Sequence, residues 1–175
     1  MDKDRFNIYV IEQRIFSNSQ KAHSIQDKNK IGELKEGKII YSSFEAFYLF
    51  ETKKANILNI KDIKLSETEL LKLFSKIDKD FYLKYLVYKN LKNKGYVVKT
   101  GLKFGEEFRI YTKQDYIKNH HAKYICFPIK SSEKIDPKDF ISKTRITHST
   151  GKKLLLAIVD NEEDISYYEI DWLKI

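Results

Sequence analysis

The chain predicts a mixed α+β or α/β protein in two small domains: an N-terminal mixed α/β domain over residues 1–79, and a C-terminal domain over 80–175 with a central mixed sheet flanked by helices. Three observations carry this. Short runs rich in β-branched and aromatic residues alternate with capped helical patterns. Near Lys79 small hairpin units give way to a longer α/β pattern. In the last third, the polar turn from Thr147 to Lys153 runs straight into Leu154-Leu155-Leu156-Ala157-Ile158-Val159, bounded by Asp160. That reads as a loop delivering two lysines to the mouth of a buried strand, where ligands and chemistry are favoured.

In chain order, Phe6–Ile11 and Lys38–Tyr41 read as strands, with Glu36-Gly37 a turn before the second. Between them, Ser17 to Lys30 is polar and without period, which predicts a loop or poorly ordered connection. Ser42 or Ser43 caps a helix whose Phe44, Phe47, Tyr48 and Phe50 form an aromatic stripe, a core face rather than a ligand platform. Ser66-Glu67-Thr68-Glu69 is a capping box before Leu70, Leu71, Leu73 and Phe74. Asp80 opens a second helix through Leu83, Leu86, Val87 and Leu91 that stops at Gly95, and the pair reads as a hinge between the halves.

Tyr96–Lys99 and Phe108–Tyr111 follow as strands around a turn at Thr100-Gly101, the second with Arg109 and Tyr111 on one face. Tyr124–Ile129 is a further strand, reached through Asn119–Lys123 and ended near Pro128. Asp136 caps a helix with Pro137 at its first position and Gly151 as its stop; Arg145, Ser149 and Lys152 fall at i, i+4 and i+7. Asn161-Glu162-Glu163-Asp164, a short acidic hairpin, leads to a last strand over Ile165–Ile170. Trp172, placed in that last strand, reads as a core or interface anchor.

A hydrophobic share of 42% supplies a real core, and a net charge of +8 favours an anionic partner. Arginine occurs only at positions 5, 14, 109 and 145, so each is a candidate for planar recognition of phosphate or base. Cys126 is the single cysteine, and His23, His120, His121 and His148 are scattered, so neither a disulfide nor a zinc spacing can be assembled and no metal or cofactor is predicted. With no bilayer-length apolar run and no signal core, the expectation is a soluble protein in the reducing cytoplasm, without membrane association. Gly151-Lys152 is no phosphate-binding loop: the earlier glycine and the hydroxyl residue after the lysine are missing, and the order is helix, turn, strand. A nucleoside triphosphatase is excluded on that ground.

Several motifs in order carry a resemblance. Tyr85–Leu91, Gly95-Tyr96-Val97-Val98-Lys99-Thr100-Gly101-Leu102-Lys103-Phe104-Gly105, Phe108-Arg109-Ile110-Tyr111 and His148-Ser149-Thr150-Gly151-Lys152-Lys153-Leu154-Leu155 resemble the archaeal tRNA-splicing endonucleases. The likeness is strong over residues 80 to 175, and Glu45-Ala46-Phe47-Tyr48-Leu49 is more weakly similar to the family's N-terminal domain, as in a full subunit. The resemblance implies a nuclease-like C-terminal domain that cuts precursor tRNA at a bulge-helix-bulge type element without metal, leaving a 2′,3′-cyclic phosphate and a 5′-hydroxyl. By the same analogy Tyr111, His121 and Lys152 are catalytic and Arg145 clamps a bulged base. His121 is preferred to His120 because the family histidine stands three positions before an aromatic, as His121 does before Tyr124; on a strand the two would face opposite ways. Gly151 departs from relatives that often carry a basic residue there.

RNA brings its own nucleophile, so a base, an acid and a cation suffice. The resemblance further implies a tetramer, homotetrameric or with a second endonuclease subunit, in which the acidic stretch Asp160, Glu162, Glu163 and Asp164 docks on another subunit. Trp172 and the last strand would then lie at a dimer seam. The alternatives are a non-catalytic RNA-binding subunit of the same assembly and a general basic RNA-binding module.

Overall fold

The computed structural model describes residues 4–101 and 108–173. The Leu102–Gly105 part of the motif quoted above lies outside them. The chain divides into two compact units, residues 1–82 and 83–175.

The first unit is a five-stranded sheet in the order β3-β4-β2-β1-β5 with three helices. β1 (Phe6–Ile11) buries Phe6, Ile8 and Val10, the alternation expected of a strand with one face on a core. It pairs antiparallel with β2 (Arg14–Ser17) and parallel with β5 (Ala55–Leu58). β5 has only four residues, all buried, too short for its apolar pattern to be told from a loop. β3 (Glu33–Lys35) and β4 (Lys38–Ile40) form a hairpin whose corner residues, Glu36 and Gly37, both have positive φ, the two-residue turn that suits the strand twist.

The segment expected to be a loop between Ser17 and Lys30 instead contains the helix α1 (Gln20–Asn29). Ser19 caps it, accepting from the Ala22 amide at 3.1 Å, and Lys30 closes it in the left-handed conformation. Ala22 is its one buried residue, so no apolar period existed to reveal it.

Ser42 caps α2 (Ser43–Glu51), with a reciprocal bond to Glu45. α3 (Glu67–Ile77) carries the capping box at Ser66 and Glu69, and buries Leu70 and Phe74. Phe47 meets Phe74 and Phe81 edge-on at 6.3 and 5.6 Å, and Phe44 stacks on Phe81 at 5.2 Å. The aromatic stripe is therefore core. The two helices read as a hinge are divided: α3 and Phe81 pack into the first unit, whereas α4 (Phe81–Asn93) belongs to the second from Leu83 on.

The second unit is a sheet in the order β10-β9-β8-β7-β6, mixed because β8 and β9 are parallel and the other neighbours antiparallel. Its strands are β6 (Val97–Thr100), β7 (Phe108–Tyr111), β8 (Tyr124–Lys130), β9 (Lys153–Val159) and β10 (Ile165–Ile170). β8 runs one residue beyond the expected Ile129, and Pro128 pairs with Ala157 inside the strand. Pairing with β7 stops at Cys126, so among the described residues Pro128 has a strand on one side only, where a missing donor is tolerated.

α6 (Pro137–Ser149) connects the parallel pair and sets Phe140 and Ile146 on Ile125, Phe127, Leu154 and Leu156. The opposite face, carrying Phe108, Cys126 and Tyr124 by register, receives α4, whose Tyr88 lies 6.1 Å from Phe108.

Glu45 is a buried carboxylate: Oε1 accepts from the Gly32 amide at 2.9 Å, and Oε2 from the Ser42 amide at 3.0 Å. Glu45→Ala would leave those amides without that acceptor, and each unsatisfied buried donor costs about 1–3 kcal/mol. The unfolding free energy from urea titration should fall accordingly, by about 2 kcal/mol.

Candidate active site

One end of the second sheet gathers the ends of three adjacent strands. Ile110 pairs with Tyr124 and Tyr124 with Lys153, so β7 finishes where β8 and β9 begin. Two backbone bonds seal the junction: the Lys123 amide donates to Ile110 O at 3.0 Å, and the Lys153 amide to Lys123 O at 3.1 Å. Tyr111 is the last residue of β7, His121 lies three positions before β8, and Lys152 immediately precedes β9. Topology thus brings the segments bearing these three residues to one sheet end.

Tyr111 is half-buried, on the face that holds Arg109, Ile125 and Leu154, which is the α6 face. Its ring meets Tyr116 edge-on at 5.3 Å. Tyr116 belongs to α5 (Lys113–Ile117), a short helix that Thr112 opens by capping the Asp115 amide at 3.1 Å. The buried Lys99 places its ammonium 5.8 Å from the Tyr116 ring, so a cation, a phenol and a second phenol stand in sequence on this face. Arg109 gives one terminal nitrogen to Thr100 O at 3.3 Å, while its Nε is buried without a partner among the described residues.

Neither histidine lies on a strand, so opposite strand faces do not separate His120 from His121. α5 ends at Ile117 with Lys118 as its cap, Asn119 takes a left-handed φ of 55°, and β8 starts only at Tyr124. What distinguishes them is partnership. His120 Nδ1 lies 3.3 Å from Asp115 Oδ1, and its amide donates to Asp115 O at 2.8 Å. The Thr112 hydroxyl, and secondarily His120, hold the Asp115 carboxyl below the usual carboxylate range. His121 is exposed and makes no hydrogen bond or ion pair among the described residues. Thr112-x-x-Asp115 is a capping pattern legible in the sequence, and it would have found α5 and the tether on His120.

Lys152 is set by the end of α6. The Gly151 amide donates to His148 O at 3.0 Å and the Lys152 amide to Thr147 O at 2.9 Å, the paired bonds of a helix stop that needs a left-handed residue; Gly151 supplies it at φ +65°. Among the described residues the Lys152 ammonium reaches only Thr150 O, at 3.3 Å. Arg145 is exposed on α6, one turn before Ser149.

The acidic hairpin stands at the other end of β9, about 20 Å from Lys152 along a seven-residue strand. Asp160 builds the turn, its Oδ1 accepting from the Glu162 and Asp164 amides at 2.9 Å each, while Glu162, Glu163 and Asp164 are exposed. Trp172 lies beyond the last strand rather than in it, because β10 stops at Ile170. It is 54% exposed and meets His148 edge-on at 4.8 Å.

A phenol, an imidazole and an ammonium at one strand end can remove a proton, supply one and stabilise added negative charge. Among the described residues no three His, Cys, Asp or Glu side chains form a group able to hold a metal ion. Nor is any helix there long and apolar enough to cross a membrane.

The profile described as "tRNA intron endonuclease, catalytic C-terminal domain" matches residues 81–167. The chain is 37% identical over 173 residues to the tRNA-splicing endonuclease of Pyrococcus abyssi, covering 98% of this chain and 99% of that one. It is 38% identical to the tRNA-splicing endonuclease of Methanothermobacter thermautotrophicus over 153 residues, 87% and 88% of the two chains. With the tRNA-splicing endonuclease of Methanococcus vannielii it shares 34% identity over 164 residues, 94% and 92% of the two.

Among the described residues, its chain neighbours aside, nothing lies within 4 Å of where a Gly151 Cβ would stand, so its requirement is conformational rather than steric. Gly151→Ala should therefore cost about 1 kcal/mol in urea titration, and Gly151→Asn less, because asparagine tolerates the left-handed region.

Proposed function

The chain belongs to the tRNA-splicing endonuclease family, and from that premise we propose that it cuts precursor tRNA at intron–exon junctions within a bulge-helix-bulge type element. The observation that carries the reading is the shared sheet end of the segments bearing Tyr111, His121 and Lys152. In this reading Tyr111 takes the proton from the substrate 2′-hydroxyl as its oxygen attacks the adjacent phosphorus. His121 protonates the departing 5′-oxygen, and Lys152 stabilises the extra negative charge of the phosphorane. The products are a 2′,3′-cyclic phosphate and a 5′-hydroxyl. A free tyrosine, with a pKa of about 10, is a weak base at neutral pH unless a cation stands near, whereas a free histidine at about 6.5 suits the acid. The nucleophile comes from RNA itself, so no metal-bound water enters the scheme.

Arg145, exposed on α6, holds a bulged base or its phosphate through its planar guanidinium. The active particle is a tetramer, of one kind of chain or with a second endonuclease subunit. The exposed charges of Glu162, Glu163 and Asp164 dock on a neighbouring subunit, since concentrated negative charge is unfavourable against RNA. Trp172 and β10 lie at the dimer seam.

Incubation with intron-containing precursor tRNA in EDTA should give cyclic phosphate ends, and His121→Ala should slow single-turnover cleavage by about a hundredfold. His120→Ala, which removes the contact to Asp115, should change the rate little. A 5′-phosphate product, dependence on added magnesium, or a larger loss with His120→Ala would each count against the scheme.

For assembly, reversing Glu162, Glu163 and Asp164 to lysine while keeping the turn-building Asp160 should leave the fold intact. Particle mass in light scattering should fall, and cleavage should be lost. Unchanged mass with full activity would reduce the hairpin to a solvated turn.

A further inference from the structure

Behind the candidate site, on the α4 face of the sheet, a carboxylate joins the starts of two strands. Glu169, in β10, accepts from the Tyr124 hydroxyl at 3.0 Å through Oε2 and takes the Lys153 ammonium on Oε1. Tyr124 opens β8 and Lys153 opens β9, opposite each other in the parallel register. Glu169 pairs with Leu155 one strand over, which puts it on the same face as Lys153. Lys123 completes the group, its ammonium 5.0 Å from the Tyr124 ring.

We propose that Glu169 is a positioning residue for the cleavage reaction: it locks together the strand starts that carry His121 and Lys152, and it pairs off Lys153 so that Lys152 is the cation left for the substrate. The proposal rests on the catalytic reading above.

Two features support it. The Lys153 and Glu169 side chains are 44% and 40% exposed, and an ion pair that open to solvent contributes little to stability, so a stabilising role is a poor account of a carboxylate with two partners from two strands. The group also stays ionised at neutral pH: Lys153, and then Tyr124, hold the Glu169 carboxyl below its usual range, while Glu169 holds Lys153 above the usual lysine range. Lys152 and Lys153 are consecutive, so without this partner two cations would compete at the strand mouth. Displacement of a reacting group by about 1 Å can slow catalysis by about a hundredfold, so a modest clamp has a large kinetic lever.

The test uses the assembled protein and precursor tRNA under single-turnover conditions. Glu169→Ala should lower the cleavage rate by about tenfold to a hundredfold, with RNA affinity, particle mass and denaturant midpoint unchanged. Added to a Tyr124→Phe/Lys153→Met background, the same change should have almost no further effect, because its partners are already gone. An unchanged rate, a loss of mass or affinity in step with the rate, or the full loss in the double-variant background would each overturn the proposal. Lys152→Ala in the same assay separates the two levels. If it abolishes cleavage while Glu169→Ala does nothing, the positioning role alone fails; if Lys152→Ala cleaves normally, the catalytic reading fails and the proposal falls with it.

Discussion

The parallel pairing of β8 with β9, Tyr124 opposite Lys153 through Lys130 opposite Val159, obliges the chain to travel back along the sheet between the two strands. α6 makes that return, burying Phe140 and Ile146 on the sheet, and it must stop where β9 has to begin. Gly151 provides the stop, and Lys152 lands at the sheet end as a result. Because β7 runs antiparallel to β8, its last residue arrives at the same end from the opposite direction, which is where Tyr111 stands. The gathering of the three candidate residues is therefore a consequence of strand direction.

The two units use carboxylates in contrasting ways. Glu45 is buried and answers backbone amides of two separate segments, Gly32 before β3 and Ser42 before α2. Beside it the Tyr41 hydroxyl is buried without a hydrogen-bond partner among the described residues; burial, and then Glu45, push its pKa well above the tyrosine range, so it stays neutral. Glu169 is exposed and answers side chains instead. Satisfying a buried amide organises a fold, because leaving it unmet is costly. An exposed contact costs little to lose, so its use lies in where it holds its partners.

Charge is segregated along β9. Two lysines stand at its start and an acidic turn at its end, in a chain with a net charge of +8. Opposite ends of one rigid strand can face different partners without either field cancelling the other, since a separation of about 20 Å exceeds the Debye length of about 8 Å at physiological ionic strength.

The sequence by itself determined most elements and their approximate limits: a cap at Ser42 or Ser43, the box at Ser66, the Asp136-Pro137 start, the Gly151 stop and the strands at Phe6 and Phe108 each rest on local rules acting over four or five residues. It missed α1, β2, β3, β5 and α5, where too few residues are buried or the element is too short for a period to emerge. Only the tertiary structure decided that Pro128 pairs with Ala157 inside β8, that His120 is held by Asp115 while His121 makes no hydrogen bond or ion pair among the described residues, and that Trp172 lies past the final strand. It alone also disclosed Glu169 joining Lys153 to Tyr124, which stands 45 positions before Glu169 in the chain. Which residue stands opposite which depends on strand order and register, and those are chosen by burial of the whole sheet, not by the residues at any one position.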